Sequence, residues 1–392
     1  MAFLTEEDRR YTTPEDICAH VGDEYEKFMG AVVPPVFQNS LFVRPKAGGG
    51  MPDAGYAYTR MSNPTTDIAE RKIAALEGGD GALCFSSGMG AISSAIMHFV
   101  RANCHVVLVD TAYGCTLGFI KDYLHQRFNV DYTLVSGESV DEIRAAIRPD
   151  TRLIYLESPS SLVFRMQDLD AVAALAREKG IGTVIDNSYA TPLYQQPLKH
   201  GVDMVCHTAS KYLGGHSDIV AGAVAARREI IESIQNYERA WLGSSMDPHQ
   251  ASLLIRGLRT LTVRVPQHAA NAEKVAAFLE NSPKIRRVFY PGSRTFEQNE
   301  LFHRYMTRAT GLLSFVPAGG WEDAVRFTSR LRCFQNGCSW GGFESLCIPL
   351  GQDEAGRAAG RPDNLVRMHV GLENVDTLIA DISQALDTLP DA

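Results

Sequence analysis

Five apolar runs in this chain end in residues that can do chemistry. Ala82–Phe85 leads into Ser86-Ser87-Gly88-Met89-Gly90, and His105–Asp110 into Thr111-Ala112-Tyr113-Gly114. Leu153–Glu157 leads into Ser158-Pro159-Ser160-Ser161, Thr183–Ile185 into Asp186-Asn187, and Met204–His207 into Thr208-Ala209-Ser210-Lys211. Each alone has an ordinary reading. The Gly88 turn can hold a phosphate on helix N–H groups, or it is only a tight strand-to-helix turn. Gly88-x-Gly90 is half of a dinucleotide fingerprint, but Ser93 stands at the third glycine position. Tyr113 can wedge under a loop, Asp186 can cap a helix, and Lys211 can be a solvated charge. Lys211 is followed by Tyr212-Leu213-Gly214-Gly215-His216-Ser217, a run of mostly small residues, so it is expected to face a cavity.

Together the five points are more specific. Pyridoxal phosphate needs a lysine for a Schiff base and an anion for its pyridine nitrogen. It also needs a phosphate cup and an aromatic plate against its ring. Lys211, Asp186, the Gly88 turn with Thr208 and Ser210, and Tyr113 match these needs in turn. A carboxylate keeps the ring nitrogen protonated, which makes the ring an electron sink.

The elements that must carry these residues follow from periodicity. The short apolar runs read as buried strands, with Val130–Val135 as a sixth. Met89–Val100, Thr116–Gln126, Val140–Ile147 and Leu169–Glu178 between them have helical spacing. Strand–helix alternation implies parallel pairing, hence an α/β sheet covered on both faces. Such sheets bind ligands beyond the carboxyl ends of their strands. Pro248–Leu279 reads as helical, followed by short strands at Arg287–Tyr290, Leu312–Val316 and Leu365–Val370 and helices at Trp321–Leu331 and Val375–Leu386. The expected organisation is an irregular arm (1–60) with Pro34, Pro35, Pro45, Pro52 and Gly48-Gly49-Gly50, a large domain (61–249) and a smaller α+β domain (250–392).

Composition narrows the class. The 392 residues are 45% hydrophobic and 21% charged, which permits a large core. A net charge of −8 without long single-sign runs argues against nucleic acid or an anionic membrane as partner. The polar, acidic start is unlike a signal or transit peptide, and the uncharged stretch from Gly81 to Val100 is too polar for a spanning helix. Eight cysteines without a CxxC pair suggest reduced thiols, buried at Cys84, Cys104 and Cys206, and a cytoplasmic location. Cys333 and Cys338 lack a partner pair and no HExxH occurs, so no metal is expected.

At Ser210–His216 the chain resembles the pyridoxal-phosphate enzymes of cysteine and methionine metabolism. The similarity runs from Gly30-Ala31-Val32-Val33-Pro34-Pro35 to Gly371-Leu372-Glu373. It includes Tyr58-Thr59-Arg60, Asn63-Pro64-Thr65, Ser86-Ser87-Gly88-Met89, Glu157-Ser158-Pro159-Ser160 and Arg367-Met368-His369-Val370-Gly371. The resemblance implies a fold-type-I architecture and a homotetramer of two catalytic dimers. It implies that Tyr58 and Arg60 reach the phosphate of the neighbouring subunit, and that Gly88 and Met89 offer backbone N–H groups. It further implies that Arg367, aided by Ser339, holds the α-carboxylate of a small amino-acid substrate, and that Cys338 lines the side-chain pocket.

Within the family the segments differ. Ser339–Leu346, Arg256–Arg264 and Gln267-His268 look like bacterial cystathionine β-lyases, whereas Tyr113-Gly114-Cys115-Thr116 looks like methionine γ-lyases. Ser161 stands where many members have an asparagine. The expectation is a β-lyase that cleaves cystathionine or related cysteine conjugates to a thiol, pyruvate and ammonia. The alternative is γ-elimination or γ-replacement. Two readings from other classes are a nicotinamide-dependent dehydrogenase and a non-catalytic cofactor binder. Lys211, Asp186, Tyr113 and Arg367 together speak against the second.

Overall fold

A computed structural model describes residues 3–46, 55–351, 356–357 and 359–390. Gly48–Gly50 and Pro52 of the expected arm lie outside the described residues. The larger sheet contains β1 (Gly81–Phe85), β2 (His105–Val109), β3 (Asp131–Val135), β4 (Thr151–Glu157), β5 (Gly182–Asp186), β6 (Met204–His207) and β7 (Gly222–Ala226). Their order is β1-β7-β6-β5-β4-β2-β3. All pairs are parallel except those of β7, which runs antiparallel to both β1 and β6. β8 (Ile285–Phe289), β9 (Leu312–Pro317), β10 (Leu346–Leu350) and β11 (Leu365–His369) form a second sheet, in the order β10-β11-β9-β8 and wholly antiparallel.

β1 illustrates why the central strands read as unbroken apolar runs. Its five residues are all buried. Leu83 and Phe85 join the core on one face of the sheet, while Ala82 and Cys84 join the core on the other. Successive side chains point to opposite faces, and both faces are covered by helices. Several helices start on side-chain caps. Ser87 Oγ accepts from Gly90 N at 3.0 Å to open helix Gly88–Phe99. Asp168 caps Leu169–Lys179, and Asp247 caps Pro248–Arg259.

Two strands and a helix differ from the periodicity. β7, Gly-Ala-Val-Ala-Ala, is built of residues too small to stand out by hydrophobicity. β10 carries Pro349, which cannot donate to a ladder and is tolerated because β10 is an edge strand. Helix Pro64–Glu77 has a weak apolar stripe because it is buried almost all round, charges included. Glu70 pairs with Arg239 at 2.6 Å, Arg71 with Asp8 at 2.7 Å, Lys72 with Asp23 at 3.4 Å and Glu77 with His207 at 2.5 Å. Paired charges occupy positions where an amphipathic pattern would put leucines. No described helix is long and apolar enough to cross a membrane.

Candidate active site

The carboxyl ends of β4, β5 and β6 deliver Glu157, Asp186 and the turn Thr208–Lys211 to one edge of the sheet. Helix Gly88–Phe99 points its N-terminus at the same edge. With Ser87 occupied by Gly90, the amides of Gly88 and Met89 have no hydrogen-bond acceptor among the described residues. Thr208 Oγ1 likewise makes no hydrogen bond there. A Cβ at Gly88 would lie 2.4 Å from that oxygen, so only glycine lets the turn approach Thr208 so closely. Two free amides and a free hydroxyl around a helix N-terminus are a phosphate cup in chemical terms. Ser210 is bonded to backbone. Its Oγ donates to the Ala221 carbonyl at 3.2 Å and accepts the Ala221 amide at 2.8 Å, which ties the lysine turn to the start of β7.

Asp186 is buried, and its Oδ1 accepts the Ser188 amide at 2.9 Å. Burial raises its pKa, offset by hydrogen bonds from Ser188 and by the charges of His207 and Lys211. No cation among the described residues lies within ion-pair distance. A buried carboxylate without a cation is costly, and a protonated pyridine nitrogen is a group that would relieve it. Glu157 sits directly opposite Asp186 in the β4–β5 register. Its Oε2 accepts the Tyr113 amide at 2.7 Å and its Oε1 the Ser161 hydroxyl at 2.6 Å. Burial, then the neighbouring Asp186, push Glu157 up to about 8. Two adjacent carboxylates resist joint ionisation.

Tyr113 is held at its backbone by Glu157, while the residue is 43% exposed. A hydrogen bond with Cys115, then burial, push its phenol up to about 12. Lys211 Nζ donates to Ser339 Oγ at 2.7 Å and lies 5.3 Å from the centre of the Trp340 ring. Burial, then the Arg367 charge, pull the amine down to about 8. Arg367, in the middle of β11, donates to the carbonyls of Gly337 and Ser339, both at 3.3 Å. It has no carboxylate partner among the described residues, and burial lowers its pKa. Cys338 is exposed, and its thiol bears electrostatically on Lys211, Arg367 and Tyr113. It lies next to Ser339, which meets Lys211, and is not a core thiol.

Lys211, Asp186, Tyr113, Gly88, Met89, Thr208, Ser339, Cys338 and Arg367 thus converge. Tyr58 and Arg60 stand apart. Arg60 bonds the Ala240 carbonyl and lies 5.6 Å from the Tyr58 ring centre. Both line a separate groove with Gln38, Asn39, Ser40 and Asp247. Sequence reasoning missed Trp340 beside the lysine, Ser188 on Asp186, and Glu157 as the anchor of Tyr113. Only Glu157, a carboxylate at a strand end, carried a signal of its own. Free amides, a cation-free buried carboxylate, a depressed lysine and an anion-free arginine fit pyridoxal phosphate and an amino-acid carboxylate together.

Comparison with known proteins agrees. The family described as Cys/Met metabolism PLP-dependent enzyme matches residues 15–387. L-methionine gamma-lyase of Pseudomonas putida is 38% identical over 380 residues, covering 94% of this chain and 95% of that protein. Cystathionine gamma-lyase of Bacillus subtilis is 37% identical over 378 residues, covering 94% of this chain and 98% of that protein. Among solved structures, metB from Corynebacterium glutamicum matches with a TM-score of 0.92 at 34% identity, covering 97% of this chain and 99% of that chain.

Proposed function

This chain belongs to the Cys/Met metabolism PLP-dependent enzyme family, and on that premise we propose that it is a carbon–sulfur lyase whose main reaction is γ-elimination. The substrate would be a thioether amino acid, methionine or cystathionine. With water, it would give a thiol, 2-oxobutyrate and ammonia. Relatives named for γ-chemistry support this over the β-cleavage expected from the Ser339–Leu346 segment.

The observation that carries the lyase reading is geometric: Lys211 meets Ser339 at 2.7 Å, between a buried Asp186 without a cation partner and an Arg367 without a carboxylate partner among the described residues. Pyridoxal phosphate, when bound, supplies an electron sink conjugated to the substrate α-carbon. Gly88, Met89 and Thr208 would hold its phosphate, joined by Ser210 if its hydroxyl turns from Ala221. Asp186 would hold its ring nitrogen, and Tyr113 would lie against its ring. Arg367 binds the substrate carboxylate as a two-pronged fork. The free amine of Lys211 takes the α-proton; for γ-cleavage it must first hand that proton on, and the amine so restored then takes a proton from Cβ. Tyr113, protonated at neutral pH, gives its proton to the departing thiolate and regains one from solvent.

β-Elimination is the second reading. It is favoured by Cys338, which offers neither a base nor a charge partner at the distal end of the pocket. Cystathionine separates the two: 2-oxobutyrate with cysteine means γ-cleavage, pyruvate with homocysteine means β-cleavage. Pyruvate as the dominant product, with no 2-oxobutyrate from methionine, would overturn the γ-reading.

The same reading divides the chain into an arm (1–60), a cofactor domain (61–249) and a smaller domain (250–392). It also makes the enzyme a homotetramer in which Tyr58 and Arg60 complete a neighbour's phosphate site. The exposed Tyr58 ring and the Arg60 guanidinium beside it support this. All eight cysteines are free, which suits a reducing cytoplasm.

A further inference from the structure

His369 lies at the end of β11, two residues after Arg367 and therefore on the same face of the strand. It is 1% exposed, and nothing in the proposed chemistry uses it. Its Nε2 lies 3.1 Å from the Gly341 amide and 3.2 Å from the Gly342 carbonyl. In one tautomer Nε2 accepts the Gly341 N–H; in the other it donates to Gly342. Either way the imidazole holds the backbone of the loop that carries Cys338, Ser339 and Trp340.

That loop is pressed against the lysine itself. Gly341 has φ +84, and a Cβ there would lie 2.7 Å from the Tyr212 nitrogen and 2.9 Å from the Lys211 carbonyl carbon. Backbone meets backbone at this point, so a small shift of residue 341 moves Ser339 off Lys211. The ring has little room to turn. His268 lies 5.1 Å away and Tyr212 5.8 Å away, centre to centre. Tyr212 is itself fixed by the Gly311 amide on its hydroxyl at 2.8 Å. Burial, with His268 and Arg367 nearby, pulls His369 down to about 3, so it stays neutral at working pH.

We propose that His369 is a positioning residue for the active-site lysine: it clamps residues 338–342 so that Ser339 meets Lys211 and Cys338 faces the substrate. One strand thereby serves two ends, with Arg367 for the substrate carboxylate and His369 for the loop that frames the substrate side chain. The inference rests on the carbon–sulfur lyase reading for its kinetic readout only.

The test uses holoenzyme with Trp241→Phe and Trp321→Phe, which leaves Trp340 as the sole tryptophan. His369→Leu removes the polar atom at similar volume. His369→Gln places an amide atom where Nε2 lies, and His369→Asn stops short of it. At equal cofactor content, Leu and Asn are expected to raise acrylamide quenching of Trp340. They are also expected to lower kcat by about 10- to 100-fold, the scale set by leaving a buried backbone group unpaired. Gln is expected to stay near the parent on both measures. If the Leu variant does not fold, the Gln–Asn contrast decides. Unchanged quenching, equal behaviour of Gln and Asn, or quenching that rises without loss of kcat would overturn the proposal. Because quenching needs no substrate, failure of the lyase reading leaves that arm intact.

Discussion

Lys211 Nζ and Ser339 Oγ meet at 2.7 Å, which joins the turn after β6 of the large sheet to a loop that precedes the edge strand of the small one. The lysine is therefore part of both halves of the site. Lys211→Ala should remove the visible absorbance of lysine-bound pyridoxal phosphate and nearly all turnover, because anchor and base are lost together. Near-normal turnover in that variant would show that another group carries the chemistry.

The same lysine sets a pH dependence that can be read without substrate. Burial and Arg367 lower its pKa from 10.5 to about 8, so the folded, cofactor-free protein disfavours the charged amine. The resulting loss of stability is fully present below pH 8. It fades as pH rises from about 8 to 10.5, where the unfolded chain also loses its proton. Lys211→Met should thus raise the Tm of cofactor-free protein at pH 7, and the gain should shrink toward pH 10. A Tm difference that does not change with pH would mean that the lysine is not titrating as placed.

Asp186→Asn tests the buried carboxylate at the end of β5. An amide cannot hold a proton on the ring nitrogen, so the nitrogen's charge and its ion pair with residue 186 are lost together. Activity should fall on the order of 100- to 1000-fold, with weaker cofactor retention, while the fold is kept. Full cofactor loading with unchanged turnover would remove the electron-sink role.

Much of this site could be read before any coordinates. Asp186, Lys211 and Tyr113 follow apolar runs, and a parallel sheet collects its strand ends at one edge. The parts that could not be read depend on contacts between elements distant in sequence. Helix Pro64–Glu77 hides its period because Glu70 and Lys72 are buried on partners about 170 and 50 residues away, Arg239 and Asp23. Trp340 and Gly341 lie in a loop whose place is fixed by His369, and nothing in a local pattern marks that contact. Arg367 read from the strand alone is only an arginine among apolar neighbours. Its lack of a carboxylate, which gives it meaning, is visible only in three dimensions.

Tyr58 and Arg60 should act on a neighbour's site. They line a groove of their own, apart from the residues gathered around Lys211. Mixing Arg60→Ala subunits with Lys211→Ala subunits should restore part of the activity, since a hybrid dimer has one site with both residues intact. Verified hybrids without any recovery would assign the pair to their own subunit.

Cys338 should set the choice of substrate and leave the core chemistry intact. It is exposed, next to Ser339, and its thiol bears on Lys211, Arg367 and Tyr113. A thiol neither fills the pocket as an aromatic ring would nor pairs with a charge as a carboxylate would. The wild-type pocket should therefore accept thioethers of varied length. Cys338→Glu adds a negative group that can face the distal ammonium of cystathionine, and should shift its products toward 2-oxobutyrate. Cys338→Tyr fills the space and should narrow the range, with methionine and cystathionine diverging in kcat/KM. A change of this kind in one pocket contact is worth roughly 1–3 kcal/mol, or about 10- to 200-fold in discrimination. Product ratios and substrate profiles that match wild type in both variants, with cofactor bound, would mean that the distal end of the substrate is read elsewhere.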